Sequence, residues 1–293
     1  MRQTINPFLI MMGFLVLLIV LVFLRNNYYH KGSSSPVVLL RCDDFGISRS
    51  VNLAIEKLAE RKIPFSASLI VNARFYNEAV EILKKNRTIS VGVHLTFTSE
   101  WENDRWKPLL PIEKVRSLVD SNGCFYPSRS SLWKQRPDTL EIEEEAEAQI
   151  KKVLKSGIKI SYIDAHMFSL YSKEYHNILK RLGAKYNLLV SGMNNELLLN
   201  DMFKTDAGNK LNKYLEILSN VDSGDTCLIV LHLAAYPDEL NSMKDLNNPY
   251  FTQNGSYRYS EYCAVISDKA MQFIDKKKIK LINYSNYSIK MPK

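Results

Sequence analysis

The stretch that decides the fold runs from residue 36 to residue 55 and reads PVVLLRCDDFGISRSVNLAI. Its first seven residues, PVVLLRC, form a short apolar run rich in valine and leucine, and Asp43 and Asp44 end that run. After the turn, Val51 and Ile55 lie four residues apart, which is the spacing of one helix face. The pattern therefore predicts a buried strand followed by an amphipathic helix, with two adjacent carboxylates at the end of the strand.

The same alternation of strand and helix continues along the chain. Apolar runs predict further strands near residues 66–71, 89–96, 159–163, 188–191, 226–231 and 280–284. Amphipathic runs predict helices near residues 48–62, 74–85, 140–155, 172–182, 210–221 and 268–278. About seven such units imply a parallel sheet covered by helices, either closed as a barrel or open and doubly wound. Because no glycine-rich nucleotide loop follows the first strand, we expect an α/β protein with a (β/α) barrel.

The composition excludes several classes of protein. The chain has 293 residues, of which 46 % are hydrophobic and 24 % are charged. This is the balance of an ordinary globular protein, so a disordered or fibrous chain is excluded. The formal net charge of +8 favours an acidic partner surface, either nucleic acid or anionic lipid. Since no basic and aromatic pattern typical of nucleic-acid-binding modules is present, we expect no nucleic-acid partner.

The N-terminal part of the chain has the pattern of a membrane segment. No formally charged residue occurs from residue 3 to residue 24, and residues 7–24 are almost wholly apolar. At about 1.5 Å per residue, this stretch approaches the roughly 30 Å thickness of a bilayer core. A cleaved signal peptide is the alternative, but its apolar region is usually shorter and ends in a small-residue cleavage pattern. We therefore expect one uncleaved transmembrane helix before the barrel.

These features divide the chain into two parts. Residues 1–31 are the expected membrane anchor and its flank, and residues 32–293 are the expected single (β/α)-barrel domain. A single N-terminal anchor often places the following domain on the outer side of the membrane. We therefore expect a single-pass membrane protein with an extracytoplasmic catalytic domain. The sequence leaves the oligomeric state open, a homo-oligomer included.

Polar side chains stand where several predicted strands end. Asp44 ends the first strand, His94 ends the third, and His166 follows the fourth. The carboxyl ends of parallel strands meet at one edge of the sheet, so we expect these side chains to lie together. One carboxylate and two imidazoles suit a single divalent cation, Mg²⁺ or Zn²⁺, with positions left for water and substrate. Taken singly, each residue also has a structural explanation, such as a helix cap, a core histidine or a loop hydrogen bond.

The sequence also resembles the YdjC/ChbG-like carbohydrate deacetylases, a family that includes chitooligosaccharide deacetylases. The similar stretches are RCDDFGISRSVNLAI at residues 41–55, VGVHLTFT at 91–98, YIDAH at 162–166, and the tail from RYSE at 258–261 through KLINY at 280–284. This resemblance implies a (β/α) barrel with fewer than eight complete units. It also implies one divalent metal ion held by Asp44, His94 and His166, with Asp43 as the base. Members of the family remove the acetyl group from N-acetylated sugar units.

Further residues are candidates for the reaction that the resemblance implies. His232 ends the sixth predicted strand and is our candidate general acid, with a core histidine as the alternative. Trp101 and Trp106 lie in the loop after the third strand, where their rings can stack on a sugar unless they serve only packing. Arg258 can bind substrate, or it can hold Asp43 or a neighbouring carboxylate in position through two hydrogen bonds, with a surface ion pair to Glu261 as the simpler alternative.

Two positions depart from the family pattern. Phe168 stands where the family usually has a second histidine, and the later His-Pro-Gly motif reads HLA at residues 232–234. We expect a metal-dependent hydrolase that cleaves a linear C–N amide bond and removes the N-acetyl group from an amino sugar or oligosaccharide. The alternatives are a metal-dependent phosphoesterase and a sugar-binding protein of the same fold that has lost catalysis.

Overall fold

The structure, a computed structural model, describes residues 35–199 and 201–287. Eight strands and nine α-helices lie in these residues. The strands are β1 Val37–Phe45, β2 Ser66–Leu69, β3 Ser90–Leu95, β4 Ile160–Ala165, β5 Leu189–Val190, β6 Leu197–Leu199, β7 Thr226–Leu231 and β8 Lys280–Ile282. The helices are α1 Arg49–Glu60, α2 Tyr76–Lys85, α3 Arg129–Lys134, α4 Thr139–Lys155, α5 His176–Tyr186, α6 Lys210–Ser219, α7 Asp238–Asn241, α8 Asn254–Ile266 and α9 Asp268–Lys276.

All eight strands belong to one parallel sheet. Seven of them follow the order β5-β4-β3-β2-β1-β7-β6, and β8 pairs with β1 beside this path. Within the part of the chain that the structure describes, no pairing joins β5 to β6, so the sheet is an open half-barrel. The prediction of a (β/α) barrel is corrected in this respect. The reason is that β5 has two residues and β6 has three, too few to complete the ring of strands.

The predicted transmembrane helix and the membrane location also need correction. Among residues 35–199 and 201–287, no helix is both long and apolar enough to cross a lipid bilayer. The longest of these helices, α4, has 17 residues and carries charged side chains along its length, whereas a spanning helix needs about 20 mostly apolar residues. The predicted anchor at residues 1–31 lies outside the described residues. The expected single-pass anchor is therefore not supported.

The turn after β1 is fixed by local hydrogen bonds. Ser48 caps α1, because its side chain accepts a hydrogen bond from the backbone N–H of Val51 at 3.1 Å. Gly46 has a φ of +104°, and its backbone N–H donates to the side-chain oxygen of Asn52 at 3.0 Å. A glycine adopts this backbone conformation without steric strain. The carboxyl end of β1 is thereby held against the first turn of α1.

Helix α4 fixes the loop that follows β3. Glu145 is fully buried and accepts hydrogen bonds from the backbone N–H groups of Leu109 and Leu110, both at 3.0 Å. Gln149 bonds both the N–H and the carbonyl of Thr96 at 2.8 Å. Buried backbone groups need such partners. The loop that begins at the end of β3 therefore has a defined path over the mouth of the half-barrel.

Six buried side chains pack together in a separate cluster inside the half-barrel: Leu39, Tyr162, Leu228, Val230, Ile282 and Tyr284. The rings of Tyr162 and Tyr284 lie 4.2 Å apart, centroid to centroid. Gly92 on β3 faces the Tyr162 ring so closely that a Cβ at this position would overlap with the ring carbons. The absence of a side chain at Gly92 is what admits the tyrosine.

We expect Gly92→Ala to lower the free energy of unfolding by about 3 kcal/mol, since Tyr162 can move only by disturbing the interior packing. Gly208→Ala is the matched control, because nothing lies within 4 Å of a Cβ at that exposed position. Urea unfolding of both variants measures the difference. Equal stabilities for the two variants would contradict the close approach.

Candidate metal centre and active site

Three potential metal ligands converge beyond the carboxyl ends of β1, β3 and β4. Asp44 Oδ1 lies 3.1 Å from His166 Nδ1 and 3.5 Å from His94 Nε2, and the two nitrogens are 3.3 Å apart. Ligand atoms at about 2.0–2.2 Å from a shared cation lie about 3.0–3.6 Å from one another, so this triangle has the size of a metal site. Asp44 Oδ1 is buried with no hydrogen-bond partner among the described residues, as suits an atom that faces a cation.

Each imidazole is supported at its second nitrogen by a carboxylate. His94 Nδ1 lies 3.0 Å from Asp164 Oδ2. His166 Nε2 lies 3.1 Å from each oxygen of Glu100. Carboxylates in this position fix the orientation of a ligand imidazole and raise its basicity. His94 is therefore arranged to bind through Nε2 and His166 through Nδ1.

The centre buries more negative than positive charge. Four carboxylates and two guanidinium groups, each at most 9 % exposed, surround it: those of Asp43, Asp44, Glu100 and Asp164, and those of Arg41 and Arg258. Among these groups the excess is about two negative charges, which a divalent cation would neutralise. The charge balance and the ligand spacing therefore both fit a divalent metal ion.

The same excess of negative charge acts on the ligand histidines. Burial lowers the pKa of His94, but Asp164 and Asp43 outweigh burial and raise the pKa to about 9. Burial likewise opposes Glu100 and Asp44 at His166, whose pKa is raised to about 10. Without a cation, these imidazoles hold protons that a metal ion has to displace.

Asp43 and Asp44 reach the same centre although they are neighbours in β1. Successive side chains of a regular strand point to opposite faces. Asp44 has a φ of +64°, and the register between β1 and β2 shifts between Cys42 and Phe45. Aspartate and asparagine adopt this left-handed conformation more readily than other residues with a Cβ. The local change in backbone direction brings both carboxylates to one side of the sheet.

Arg41 holds Asp43 through two hydrogen bonds. Its Nε donates to Asp43 Oδ1 and its Nη2 donates to Oδ2, both at 2.7 Å. Burial acts to raise the pKa of Asp43, but Arg41 and His94 outweigh burial and the pKa is lowered. Arg41 Nε also lies 3.2 Å from Asp164 Oδ2. In a second group of potential ligands, formed by Asp43, His94 and Asp164, both carboxylates thus already contact the guanidinium group of Arg41.

Arg258 and His232 lie on the opposite side of Asp44. Arg258 Nη2 donates a hydrogen bond to Asp44 Oδ2 at 2.6 Å. Arg258 therefore pairs with the potential metal ligand Asp44, whereas Arg41 pairs with Asp43. His232 Nε2 lies 4.0 Å from the same Asp44 oxygen, and its side chain is 18 % exposed. Burial lowers the pKa of His232 against the opposing effect of Asp44. The backbone N–H of His232 is anchored by Glu261 Oε1 at 2.7 Å.

These groups line a cavity of about 340 Å³ that has an aromatic wall. Trp101, Phe168 and Phe203 all face this cavity. Trp106 is not among its lining residues and packs instead against the ring of His166, with 5.5 Å between the ring centroids. Phe203 is 60 % exposed and lies 5.3 Å from the ring of His232. The cavity therefore combines charged groups at its base with apolar rings at its mouth.

Sequence reasoning did not assign a role to Arg41, Glu100 or Phe203. Arg41 carried a usable signal, because it lies two residues before Asp43 and so shares its face of β1. Glu100 and Phe203 lie in loops, where no periodicity reports which way a side chain points. Only the path of the chain between strands brings them to the site.

Three comparisons relate the chain to known proteins. The sequence profile of the YdjC-like protein family matches residues 37–276, which include every residue placed at the site above. A carbohydrate deacetylase of Thermoanaerobacter pseudethanolicus is 28 % identical over 263 residues, which are 85 % of this chain and 98 % of the relative. Carbohydrate deacetylase 1 of Listeria innocua is 34 % identical over 131 residues, which are 44 % of this chain and 50 % of that relative. A crystal structure from Enterococcus faecalis, described as a cellobiose-phosphate cleavage protein, has a TM-score of 0.70 at 25 % identity and covers 86 % of this chain and 98 % of its own.

We expect Asp44→Asn and Asp44→Ala to weaken Zn²⁺ binding at least about 100-fold, because both remove a charged ligand. The two variants should differ in stability, since alanine tolerates the left-handed backbone at residue 44 less well than asparagine, by about 1 kcal/mol. Calorimetric titration measures binding, and urea unfolding of the metal-free proteins measures stability. Equal stability of the two variants would argue against the left-handed conformation.

Metal binding should release protons from His94 and His166, because their raised pKa values of about 9 and about 10 keep both rings protonated at neutral pH. Protons compete with the cation, so the apparent affinity should rise with pH and level off above these pKa values. Titrations in buffers of different ionisation enthalpy give the number of protons released, which we expect to approach two at pH 7. An affinity that does not change between pH 6 and pH 8 would refute this coupling.

Proposed function

Because the chain belongs to the YdjC-like protein family, we propose that it is a metal-dependent carbohydrate deacetylase that hydrolyses the N-acetyl group of an amino sugar or oligosaccharide. The family resemblance inferred from the sequence is confirmed by the match over residues 37–276. The observation that carries the proposal is the triangle of Asp44, His94 and His166 at the base of the cavity, with Asp43 beside it.

The donor set bears on which metal ion the centre holds. Asp44, His94 and His166 offer one carboxylate oxygen and two imidazole nitrogens. Imidazole ligands suit Zn²⁺ and similar transition metals, whereas Mg²⁺ prefers oxygen ligands and retains several waters. We therefore favour Zn²⁺ over Mg²⁺. When bound, such a cation polarises the acetyl carbonyl and lowers the pKa of a bound water.

Asp43 is suited to accept a proton from the attacking water. Its carboxylate lines the cavity, and Oδ2 lies 3.9 Å from His94 Nε2, so it stands beside the proposed ligands without being one of them. Arg41 fixes both of its oxygens, which orients the carboxylate and keeps it ionised at neutral pH. A base with a lowered pKa is weaker, but all of it is in the reactive form.

His232 is suited to protonate the departing amine. The side chain is partly exposed to the cavity, and burial lowers its pKa. A lowered pKa makes the protonated imidazole a stronger acid, although a smaller fraction of it is protonated at neutral pH. Asp43 and His232 thereby divide the two proton transfers that amide hydrolysis requires.

The cavity fits a sugar in both size and chemistry. A volume of about 340 Å³ lies in the range of small-ligand sites. Phe203 offers an exposed ring beside His232, and Trp101 offers a buried indole whose N–H has no hydrogen-bond partner among the described residues. Aromatic faces pack against the apolar face of a sugar ring, and a free N–H can donate to a hydroxyl. Trp106 packs on the ring of His166 and would orient this imidazole toward the metal ion without touching the sugar.

A phosphoesterase fits the centre less well than a deacetylase does. Phosphoester hydrolysis often uses two metal ions about 3.5–4 Å apart. In the second group of potential ligands here, Asp43, His94 and Asp164, both carboxylates already contact the guanidinium group of Arg41. One metal ion with a neighbouring base is the arrangement that amide hydrolysis needs.

Acetate release from N-acetyl-chitooligosaccharides, measured with Zn²⁺ and with Mg²⁺, tests the proposal. Asp43→Asn should reduce turnover at least about 1,000-fold and leave the metal dissociation constant within about twofold, because Asp43 is not a ligand. His232→Ala should reduce turnover about 100-fold, since it removes the proton donor and not the binding site.

Release of phosphate from sugar phosphates without release of acetate would favour the phosphoesterase. Sugar binding without either product would favour a binding protein that has lost catalysis. Loss of metal affinity in Asp43→Asn would mean that the two adjacent aspartates share the ligand role.

A further inference from the structure

Arg41 is held from its far side by a hydrogen-bonded chain that crosses the interior of the half-barrel. Arg41 Nη1 donates to Ser191 Oγ at 2.7 Å. The hydroxyl of Tyr284 lies 2.5 Å from Ser191 Oγ and 2.9 Å from Glu196 Oε1. Arg41, Ser191 and Tyr284 are each at most 3 % exposed. The chain therefore runs through protein interior from Asp43 to Glu196.

We propose that Ser191 and Tyr284 are positioning residues that hold the Arg41 guanidinium, and through it the Asp43 carboxylate, in the orientation used for deacetylation. The inference rests on the proposed function for the part that concerns catalysis. Neither residue lines the cavity, so neither is expected to touch substrate.

The direction of the protons along the chain follows from the groups themselves. Arginine only donates, so Ser191 accepts from Arg41. The Tyr284 hydroxyl donates to Ser191 Oγ, and it also faces Glu196 Oε1 as a second acceptor. Ser191 Oγ thus accepts hydrogen bonds from both Arg41 and Tyr284. Ser191 therefore links the Arg41 guanidinium group to Tyr284, and Tyr284 links Ser191 to the carboxylate of Glu196.

Glu196 is itself fixed by the loop that carries it. It accepts hydrogen bonds from the backbone N–H of Asn194 at 2.6 Å, from the Asn194 side chain at 3.0 Å, and from the backbone N–H of Gly192 at 3.3 Å. This loop connects β5 to β6, between which the sheet is open. The Glu196 end of the hydrogen-bonded chain is thus held by two backbone N–H groups and the side chain of Asn194 in this loop.

The hydrogen bond to Ser191 helps to keep the guanidinium plane of Arg41 in its orientation toward Asp43. Two of its nitrogens, Nε and Nη2, donate to Asp43, and the third, Nη1, donates to Ser191 Oγ. A buried N–H without an acceptor is costly, so loss of the Ser191 hydroxyl should favour rotation of the guanidinium away from the geometry that pairs it with Asp43. Because Asp43 is the proposed base, such a rotation would slow turnover while leaving the metal ligands in place.

The test compares Ser191→Ala, Tyr284→Phe and the double variant with Tyr76→Phe. Tyr76 is a matched control, since its hydroxyl is 2.7 Å from Ser156 Oγ in a similar tyrosine–serine pair at α2 and α4, outside the cavity lining. We expect kcat to fall about tenfold in Ser191→Ala and about threefold in Tyr284→Phe, from loss of hydrogen bonds to or near a charged group. KM and the Zn²⁺ dissociation constant should stay within about twofold. The double variant should be no slower than Ser191→Ala, because both changes break one chain.

A second measurement does not depend on activity. Hydrogen exchange of the Arg41 Nε proton, followed by ¹⁵N NMR, should accelerate about tenfold in Ser191→Ala and less in Tyr284→Phe, and should not change in Tyr76→Phe. Unchanged exchange in Ser191→Ala would overturn the positioning role. So would effects on kcat that multiply in the double variant. If the unmodified protein released no acetate, the proposed function would fail. The exchange rates alone would then decide whether Ser191 and Tyr284 hold Arg41 in place.

Discussion

The burial of four carboxylates around two imidazoles is the constraint on which the rest of the structure depends. Charge in a protein interior is tolerated only where it is paired or bound to a cation. Arg41 and Arg258 neutralise two of the negative charges by direct contact with Asp43 and Asp44. The remaining excess comes from Glu100 and Asp164, which contact the outer nitrogens of His166 and His94 behind the Asp44, His94 and His166 triangle. Arg41 occupies both oxygens of Asp43, whereas Arg258 bonds only Oδ2 of Asp44 and leaves Oδ1 to face a cation. This difference separates a base from a metal ligand although the two aspartates are adjacent in sequence.

That separation requires an irregular backbone. A regular strand would send Asp43 into the half-barrel and Asp44 toward the helices, because side chains alternate. The left-handed conformation of Asp44, with a φ of +64°, turns the second carboxylate to the same side. Such strain persists where surrounding contacts determine it, and here Arg258 at Asp44 Oδ2 and the Gly46–Asn52 hydrogen bond provide those contacts.

Much of the fold could be predicted from the sequence, because seven of the eight described strands are apolar runs next to amphipathic helices. Strand β6 was missed, since it has three residues and lies at an edge where its leucines are largely exposed. Helix α8 was missed because its polar and tyrosine-rich sequence has weak helical periodicity. The proximity of Asp44, His94 and His166 was predictable because parallel strands end together. The role of Glu100 was not, since no periodicity in a loop shows which side chain faces inward, whereas Arg41 could have been assigned from its two-residue spacing to Asp43 in β1.

The open sheet and the polar chain behind Arg41 have a common cause. In a closed barrel, side chains from all strands fill the interior in packed layers, mostly branched and apolar. Here one small apolar cluster around Leu39 and Tyr162 shares the interior with the buried polar chain from Arg41 to Tyr284. Because β5 and β6 do not pair, their connecting loop delivers Glu196 to the hydroxyl of Tyr284. Closing the sheet by strand pairing would take up this space and remove the acceptor at the end of the chain. The gap in the sheet thus gives the buried arginine its polar support, so the incomplete barrel is part of how the site is positioned.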